Sequence, residues 1–346
     1  EYDGQPHSDG GYTVNYDGVD YPVEAGETAT LPTGDVVKAK ITKTVTNVSD
    51  SVADNNTIDE LTIVNAADED TKGQYKTVTL IPGTLTITKR GAGDMKVVLT
   101  AANNTVVYDG QPHGAKRNAA GEIEAGTSYT ITNLANGHKV QSVVISGRET
   151  AVGEYENKLV PSDAKIVDAA GNDVTKNYVV GYENGKLTIT SPDTVIVTIK
   201  GKTDTVEYNG QKHEVNGYEV VSISNTLYTE ADFGFADGAT AHAEGTDAGD
   251  YFMNLTKDSF VNKTGNVTSV TFVVEDGKLT ITKRGLDEEK LVKIIAANNS
   301  VYYDGQPHGA KLNAAGQIEV GTSDTTDDHA PGHTVQSVVI SGTETM

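Results

Sequence analysis

Hydrophobic and polar positions alternate along this chain, and the alternation returns in the same form three times. Gly83-Thr84-Leu85-Thr86-Ile87-Thr88, Gly185-Lys186-Leu187-Thr188-Ile189-Thr190 and Gly277-Lys278-Leu279-Thr280-Ile281-Thr282 each put Leu and Ile on one side of an extended chain and Thr or Lys on the other. A period of two after a glycine turn is the pattern of a strand with one face buried and one in water. The stretch before the second of these reads as strands near 95–100, 105–109, 128–132, 139–146, 154–160, 164–168 and 177–182, ending on 185–190. Turns of Gly, Asn, Asp and Pro join them, with Ala169-Ala170-Gly171-Asn172-Asp173 as a hairpin connection. No window of ten or more residues carries a helical stripe, and a short helix fits only around 229–235 or 285–292.

A second pattern opens each segment: Tyr2-Asp3-Gly4-Gln5-Pro6-His7, Tyr108-Asp109-Gly110-Gln111-Pro112-His113, Tyr208-Asn209-Gly210-Gln211-Lys212-His213 and Tyr303-Asp304-Gly305-Gln306-Pro307-His308. The spacing of roughly 100 residues is the size of one domain and too long for a helical solenoid unit. The chain is therefore read as four repeats: A over 1–90, B over 91–191, A′ over 192–284 and B′ over 285–346. A is expected to be truncated at its N-terminus and B′ at its C-terminus. A third mark, Gly73-Gln74-Tyr75, Gly153-Glu154-Tyr155 and Gly249-Asp250-Tyr251, lies between opening and closing patterns, with a longer insertion before it in A. The B copies are the closer pair, since Gln141-Ser142-Val143-Val144-Ile145-Ser146-Gly147 returns as Gln336-Ser337-Val338-Val339-Ile340-Ser341-Gly342. Duplication of a two-domain cassette explains this order, and further cassettes are expected outside these 346 residues. Each repeat is expected to fold around its own core.

Asp-Gly or Asn-Gly after an extended run is a tight-turn signal, because glycine reaches positive φ cheaply and the Asx side chain bonds to nearby backbone. Tyr2, Asp3, Gly4, Tyr108, Asp109, Gly110, Tyr208, Asn209, Gly210, Tyr303, Asp304 and Gly305 are accordingly read as structural: a ring packed on the core, then a turn. A single recurring His with no second His or Cys beside it is a poor transition-metal site, and no metal residue is assigned.

Composition adds limits. The chain has no cysteine or tryptophan, 36 glycines and a net charge of −22. No disulfide framework or cysteine zinc site is open to it. A phosphate backbone would be repelled, so no nucleic-acid partner is expected; Lys89-Arg90 and Lys283-Arg284, just after closing strands, read as junction residues. No apolar run is long enough to span a membrane within this stretch. Asp50, Asp54, Asp59, Glu60 and Asp68-Glu69-Asp70 are rich in hard oxygen ligands, so calcium is the one cofactor left open, although no segment follows the helix-loop-helix calcium pattern. Solvated acidic loops are the favoured reading. No nucleophile elbow, phosphate loop or zinc-protease pattern is present, and no enzyme is expected.

The set Tyr-Asp-Gly-Gln-Pro-His, Gly-Glu-Tyr, Asp173-Val174-Thr175-Lys176-Asn177-Tyr178 and Gly-Lys-Leu-Thr-Ile-Thr resembles the YDG/MBG-type repeats of large bacterial cell-surface adhesins. The resemblance covers essentially the whole chain in four consecutive copies. It implies a mainly β fold, an elongated tandem array of compact domains of Ig-like or β-grasp-like character, secreted and anchored to the cell wall of a Gram-positive bacterium. Its implied role is a non-catalytic stalk that projects a binding head. The alternative is a multivalent array for a host glycan or extracellular glycoprotein, immunoglobulin included. The third copy departs from the pattern at Asn209 and Lys212, which puts in doubt any function resting on the motif Asp. The insertions over 28–70 and Leu227–His242 are the places to look for binding, with Tyr228, Phe233 and Phe235 as the candidates for ligand contact.

Overall fold

The computed structural model describes all residues except 286–291, 303, 320–323, 328–334 and 342–346. It is mainly β; among the described residues the only helical elements are single 3-10 turns. The chain divides into two compact units, Glu1–Thr190 and Ser191–Met346. This division lies one residue from the expected 191/192 boundary, and none falls at 90/91 or 284/285.

The first unit contains β1 (Tyr12–Tyr16), β2 (Val19–Val23), β3 (Ala29–Thr30), β4 (Val36–Lys40), β5 (Glu60–Val64), β6 (Val97–Ala101), β7 (Asn104–Val107), β8 (Tyr129–Ile131), β9 (Lys139–Ser146), β10 (Gly153–Val167), β11 (Val180–Glu183) and β12 (Gly185–Thr190). Its second half is framed by two parallel pairings in one register: β6 beside β11, with Val97 opposite Val180, then β7 beside β12, with Val106 opposite Ile189. Gly185 lets the closing chain pass the opening one, since a Cβ there would stand 2.8 Å from the Ala101 carbonyl oxygen. Strands 139–146 and 185–190 fall where the alternation places them, whereas 154–160 and 164–168 are one strand, β10. It pairs first with β12 and then with β9, and bulges between. Asn157 and Asp163, at φ of 54°, take the irregular positions.

The core of this unit crosses the expected repeat boundary. Tyr2, Val45 and Ile87 from residues 1–90 pack with Val97, Ala135, Ile166, Val174 and Tyr178 from residues 91–190 in one cluster. The expectation of one private core per repeat is thus corrected at 90/91, because Tyr2 is only 2% exposed and is buried against the following repeat. Gly73–Tyr75 also departs from its sequence counterpart Gly153–Tyr155. It forms a 3-10 turn rather than the strand seen at β10, and the place beside the closing segment is taken by 51–56, where Asn56 and Gly83 form a bridge. Asn55 reinforces it, its side chain accepting from Leu85 N–H at 2.6 Å and donating to Leu85 O at 2.9 Å.

The second unit contains β13 (Val195–Gly201), β14 (Thr203–Glu207), β15 (His213–Asn216), β16 (Tyr218–Ile223), β17 (Phe233–Phe235), β18 (His242–Gly245), β19 (Gly249–Phe252), β20 (Phe260–Asn262), β21 (Val270–Glu275), β22 (Lys278–Thr282), β23 (Lys293–Ala296) and β24 (Asp324–Asp327). The same frame recurs: β13 lies parallel to β21 and β14 parallel to β22. Val195, Val197, Ile199, Leu279 and Ile281 form the floor of its core. The helix entertained at 229–235 is a 3-10 turn, Glu230–Asp232, running into β17; most of 285–292 lies outside the described residues.

Because Tyr2 belongs to the shared cluster, Tyr2→Ala is expected to cost the first unit about 3 kcal/mol. Hydrogen exchange should show Val97 and Ile166 amides losing protection together with Val45; loss confined to residues 1–90 would mean that the two halves open separately.

Candidate functional site

The Asx turn is built the same way in all four copies, and the tyrosine bond that leads into it is described in three. The opening strand ends with the tyrosine N–H donating to the last threonine of the closing segment: Tyr2 to Thr88 O at 2.8 Å, Tyr108 to Thr190 O and Tyr208 to Thr282 O at 2.9 Å. The next side chain then uses one oxygen twice. Oδ1 of Asp3, Asp109, Asn209 and Asp304 accepts the N–H of Gln5, Gln111, Gln211 and Gln306 at 2.8, 2.8, 2.9 and 2.9 Å. The same oxygen lies 2.9, 2.8, 2.9 and 2.7 Å from Nε2 of His7, His113, His213 and His308. These bonds hold the Asp3, Asp109 and Asp304 carboxyls below the usual carboxylate range, with the Gln N–H as the largest cause. The glycines between stand at φ of 81°, 79°, 75° and 77°. Tyr303 lies outside the described residues. Asn209 makes both contacts, because the turn uses an oxygen that Asn and Asp share.

In the first copy this turn is also a joint. The Tyr2 ring meets Tyr178 edge-on at 5.5 Å and His138 at 5.8 Å. Tyr178 accepts the Ala135 N–H at 3.2 Å, and its hydroxyl shares a hydrogen bond with His138 Nδ1 at 2.7 Å. Arg90 stitches the strand junction: Nε donates to Asn133 O at 2.5 Å, Nη1 to Tyr2 O at 3.3 Å, and its backbone bridges Tyr178. Asn177, buried, receives Val48 N–H at 2.9 Å and donates to Asn47 at 2.8 Å. Asn177 and His138 carry no period or spacing that marks them; only Arg90 was legible as a junction residue.

The copy-specific loops behave differently from one another. Tyr228 and Phe233, expected as exposed ligand contacts, are core residues at 2% and 4% exposure. They stack at 6.1 Å, Phe233 packs on Phe260 and Phe272, and burial pushes the Tyr228 hydroxyl up to about 12. Phe235 alone keeps an outer face, 36% exposed, while its ring rests on Tyr218 and Phe260. In the first unit the insertion forms a groove of about 170 Å³ bounded by Tyr12, Tyr16 and Tyr75. Tyr75 is held there by a 2.5 Å hydrogen bond to Asp35, and Leu80 and Ile81 beyond it are exposed.

The acidic loops are engaged locally. Asp50 accepts from Thr46 and Asn47 N–H, and Asp59 from the Thr42 N–H and hydroxyl. Among the described residues, one group of three side chains is close enough to share an ion: Glu214, His242 and Glu244, whose ligand atoms lie within 4.8 Å of one another. The sequence reading passed over it. Its only local signal is His-x-Glu at strand spacing, and Glu214 joins it across a ribbon.

Compared with protein-family models, curated proteins and solved structures, the chain matches none. Among the described residues no helix is long and apolar enough to cross a membrane.

Two outcomes follow from the joint. A Cβ on Gly4 would stand 2.8 Å from His138 Nε2, whereas Gly18, in the turn between β1 and β2, has the same positive φ with nothing within 4 Å of that position. Gly18→Ala is expected to cost about 1 kcal/mol and Gly4→Ala clearly more, as read by denaturant midpoints. Burial lowers the His138 pKa from its ordinary 6.5, opposed by Asp168 and aided by Arg90. The unfolded chain then takes up this proton more readily than the folded one, so the stability is whole above about pH 6.5 and declines as pH falls through the folded value. His138→Gln should flatten the decline between pH 7 and 5; an unchanged slope would assign it to other groups.

Proposed function

We propose that this chain is a non-catalytic repeat region of a bacterial cell-surface adhesin, a stalk that projects a binding head from the cell. One observation carries the reading: the recurring residues are consumed by the framework. In each copy the Asp or Asn oxygen is taken by the Gln N–H and the His ring, and the described motif tyrosines of the two A-type copies pack against apolar clusters. What repeats is therefore what builds, which suits a spacer better than a repeated binding face. The Arg90 joint and shared core suit a junction that resists bending. The YDG/MBG resemblance supplies the setting, an extracellular protein held at the cell wall of a Gram-positive bacterium.

A multivalent array for host glycans or glycoproteins is the second reading. Its support is the tyrosine-bounded groove and exposed Leu80 and Ile81 in the first unit, together with the outer face of Phe235.

The two readings separate in solution. A stalk predicts a radius of gyration by small-angle X-ray scattering well above the roughly 20 Å of a compact chain of this length, and no saturable binding to arrayed glycans or extracellular glycoproteins. A compact radius would sink the stalk. Specific binding abolished by Tyr75→Ala would favour the array.

A further inference from the structure

We propose that the outer face of the β15–β18 ribbon is a zinc site, with Glu214, His242 and Glu244 as ligands and Asn216 as the residue that aims the imidazole. The register places these side chains together: Glu214 lies opposite Glu244, and Asn216 opposite His242. Val215 and Ala243, between them, point the other way into the core. A carboxylate directly across a ribbon from another destabilises the pair unless a cation sits with them. The residues are also peculiar to this copy. Counting from the bridged His7–Val45 and His113–Glu149 pairs, the corresponding positions are Ser8 and Thr44 in the first copy and Gly114 and Arg148 in the second. The scaffold does not need the triad.

The imidazole carries the stronger indication. His242 Nδ1 lies 2.7 Å from Asn216 Oδ1, so Nδ1 holds the proton and donates it. Nε2, the other ring nitrogen, faces Glu244 Oε2 at 2.9 Å, so the ring and the carboxylate converge on one point beside the ribbon. A cation can take the place of a proton between them, and a ring whose far nitrogen donates to an amide oxygen is the usual orientation of a metal-bound histidine. Two ligand atoms on a tetrahedral zinc stand about 3.3 Å apart for bonds of about 2 Å, so His242 and Glu244, now 2.9 Å apart, need to separate only slightly, and the exposed Glu214 side chain, within 4.8 Å of both, turns in to complete the set. One nitrogen and two carboxylate oxygens suit zinc better than calcium and leave a fourth position for water or an oxygen of a partner. Lys212, 2.6 Å from Glu244 Oε2, is the competing cation. Zinc has to displace it. This inference does not depend on the stalk reading.

Isothermal titration of the full chain with zinc chloride tests it. The wild-type chain should show one saturable site, and Asn216→Ala should weaken it about tenfold. His242→Gln and Glu214→Gln should weaken it at least as much, and Lys212→Met should tighten it several-fold. Glu214→Gln leaves the His242–Asn216 and Lys212–Glu244 contacts in place, so it reads the site even if His242→Gln disturbs the ribbon. Absence of saturable zinc binding, binding indifferent to both Glu214→Gln and His242→Gln, or a Lys212→Met variant that binds no tighter would each overturn the proposal.

Discussion

Everything in the second repeat hangs on its first and last strands running side by side in the same direction. A parallel pair cannot be closed by a hairpin, so the chain between must leave and come back. In doing so β8, β9 and β10 cover the rows that Val97, Leu99, Leu187 and Ile189 present. The third repeat repeats the solution with β13 and β14 against β21 and β22. The Asx turn sits where the opening strand leaves this pair, after the tyrosine N–H has made the last bond to the closing segment. Its doubly used oxygen redirects the chain and delivers the histidine backbone to the next pairing: His7 with Val45, His113 with Glu149 and His213 with Gly245. A five-residue device thus couples the end of one ladder to the start of another.

In the first unit the same device is put to a second use. Tyr2 needs apolar cover, and it finds this in the following repeat against Tyr178, His138 and Ala135. The junction residues are fixed from both sides, Arg90 by its side chain and its backbone, Gly91 by Glu1. Two sequence repeats share one core, and the position between them is one of the better bonded places.

Much of this was legible from residue order, and the exceptions have physical reasons. Period-two alternation located 139–146 and 185–190 to the residue, because half-buried strands leave that signature in every side chain. It could not show that 154–160 and 164–168 are one strand, since bulges at Asn157 and Asp163 interrupt the period without ending the chain's course. The turn role of Asp-Gly was readable; the doubled acceptance by one oxygen was not, although the fixed distance to His was the trace it left. Gly73-Gln74-Tyr75 matched a pattern by composition, yet the pairing beside 83–88 is made by 51–56, where Asn55 supplies with its side chain what a strand supplies with its backbone. Tyr228 and Phe233 looked like loop aromatics because nothing local marks a ring that folds under its own loop. Long-range partners such as Asn177 for Val48 have no local signal.

Asn209 separates scaffold from function more sharply than any other position. It lacks the charge its counterparts carry, and the turn around it has the same distances within 0.1 or 0.2 Å. What the repeats share is therefore an acceptor oxygen at a given point, and a feature indifferent to charge is poorly suited to recognise a charged ligand. Chemistry that differs between copies has to be sought where the copies differ: the tyrosine-bounded groove of the first unit, the exposed edge of Phe235, and the ribbon face that carries Glu214, His242 and Glu244. Each of these lies on a segment whose inner side chains already fill a core, so its outer side chains can change without disturbing the frame beneath.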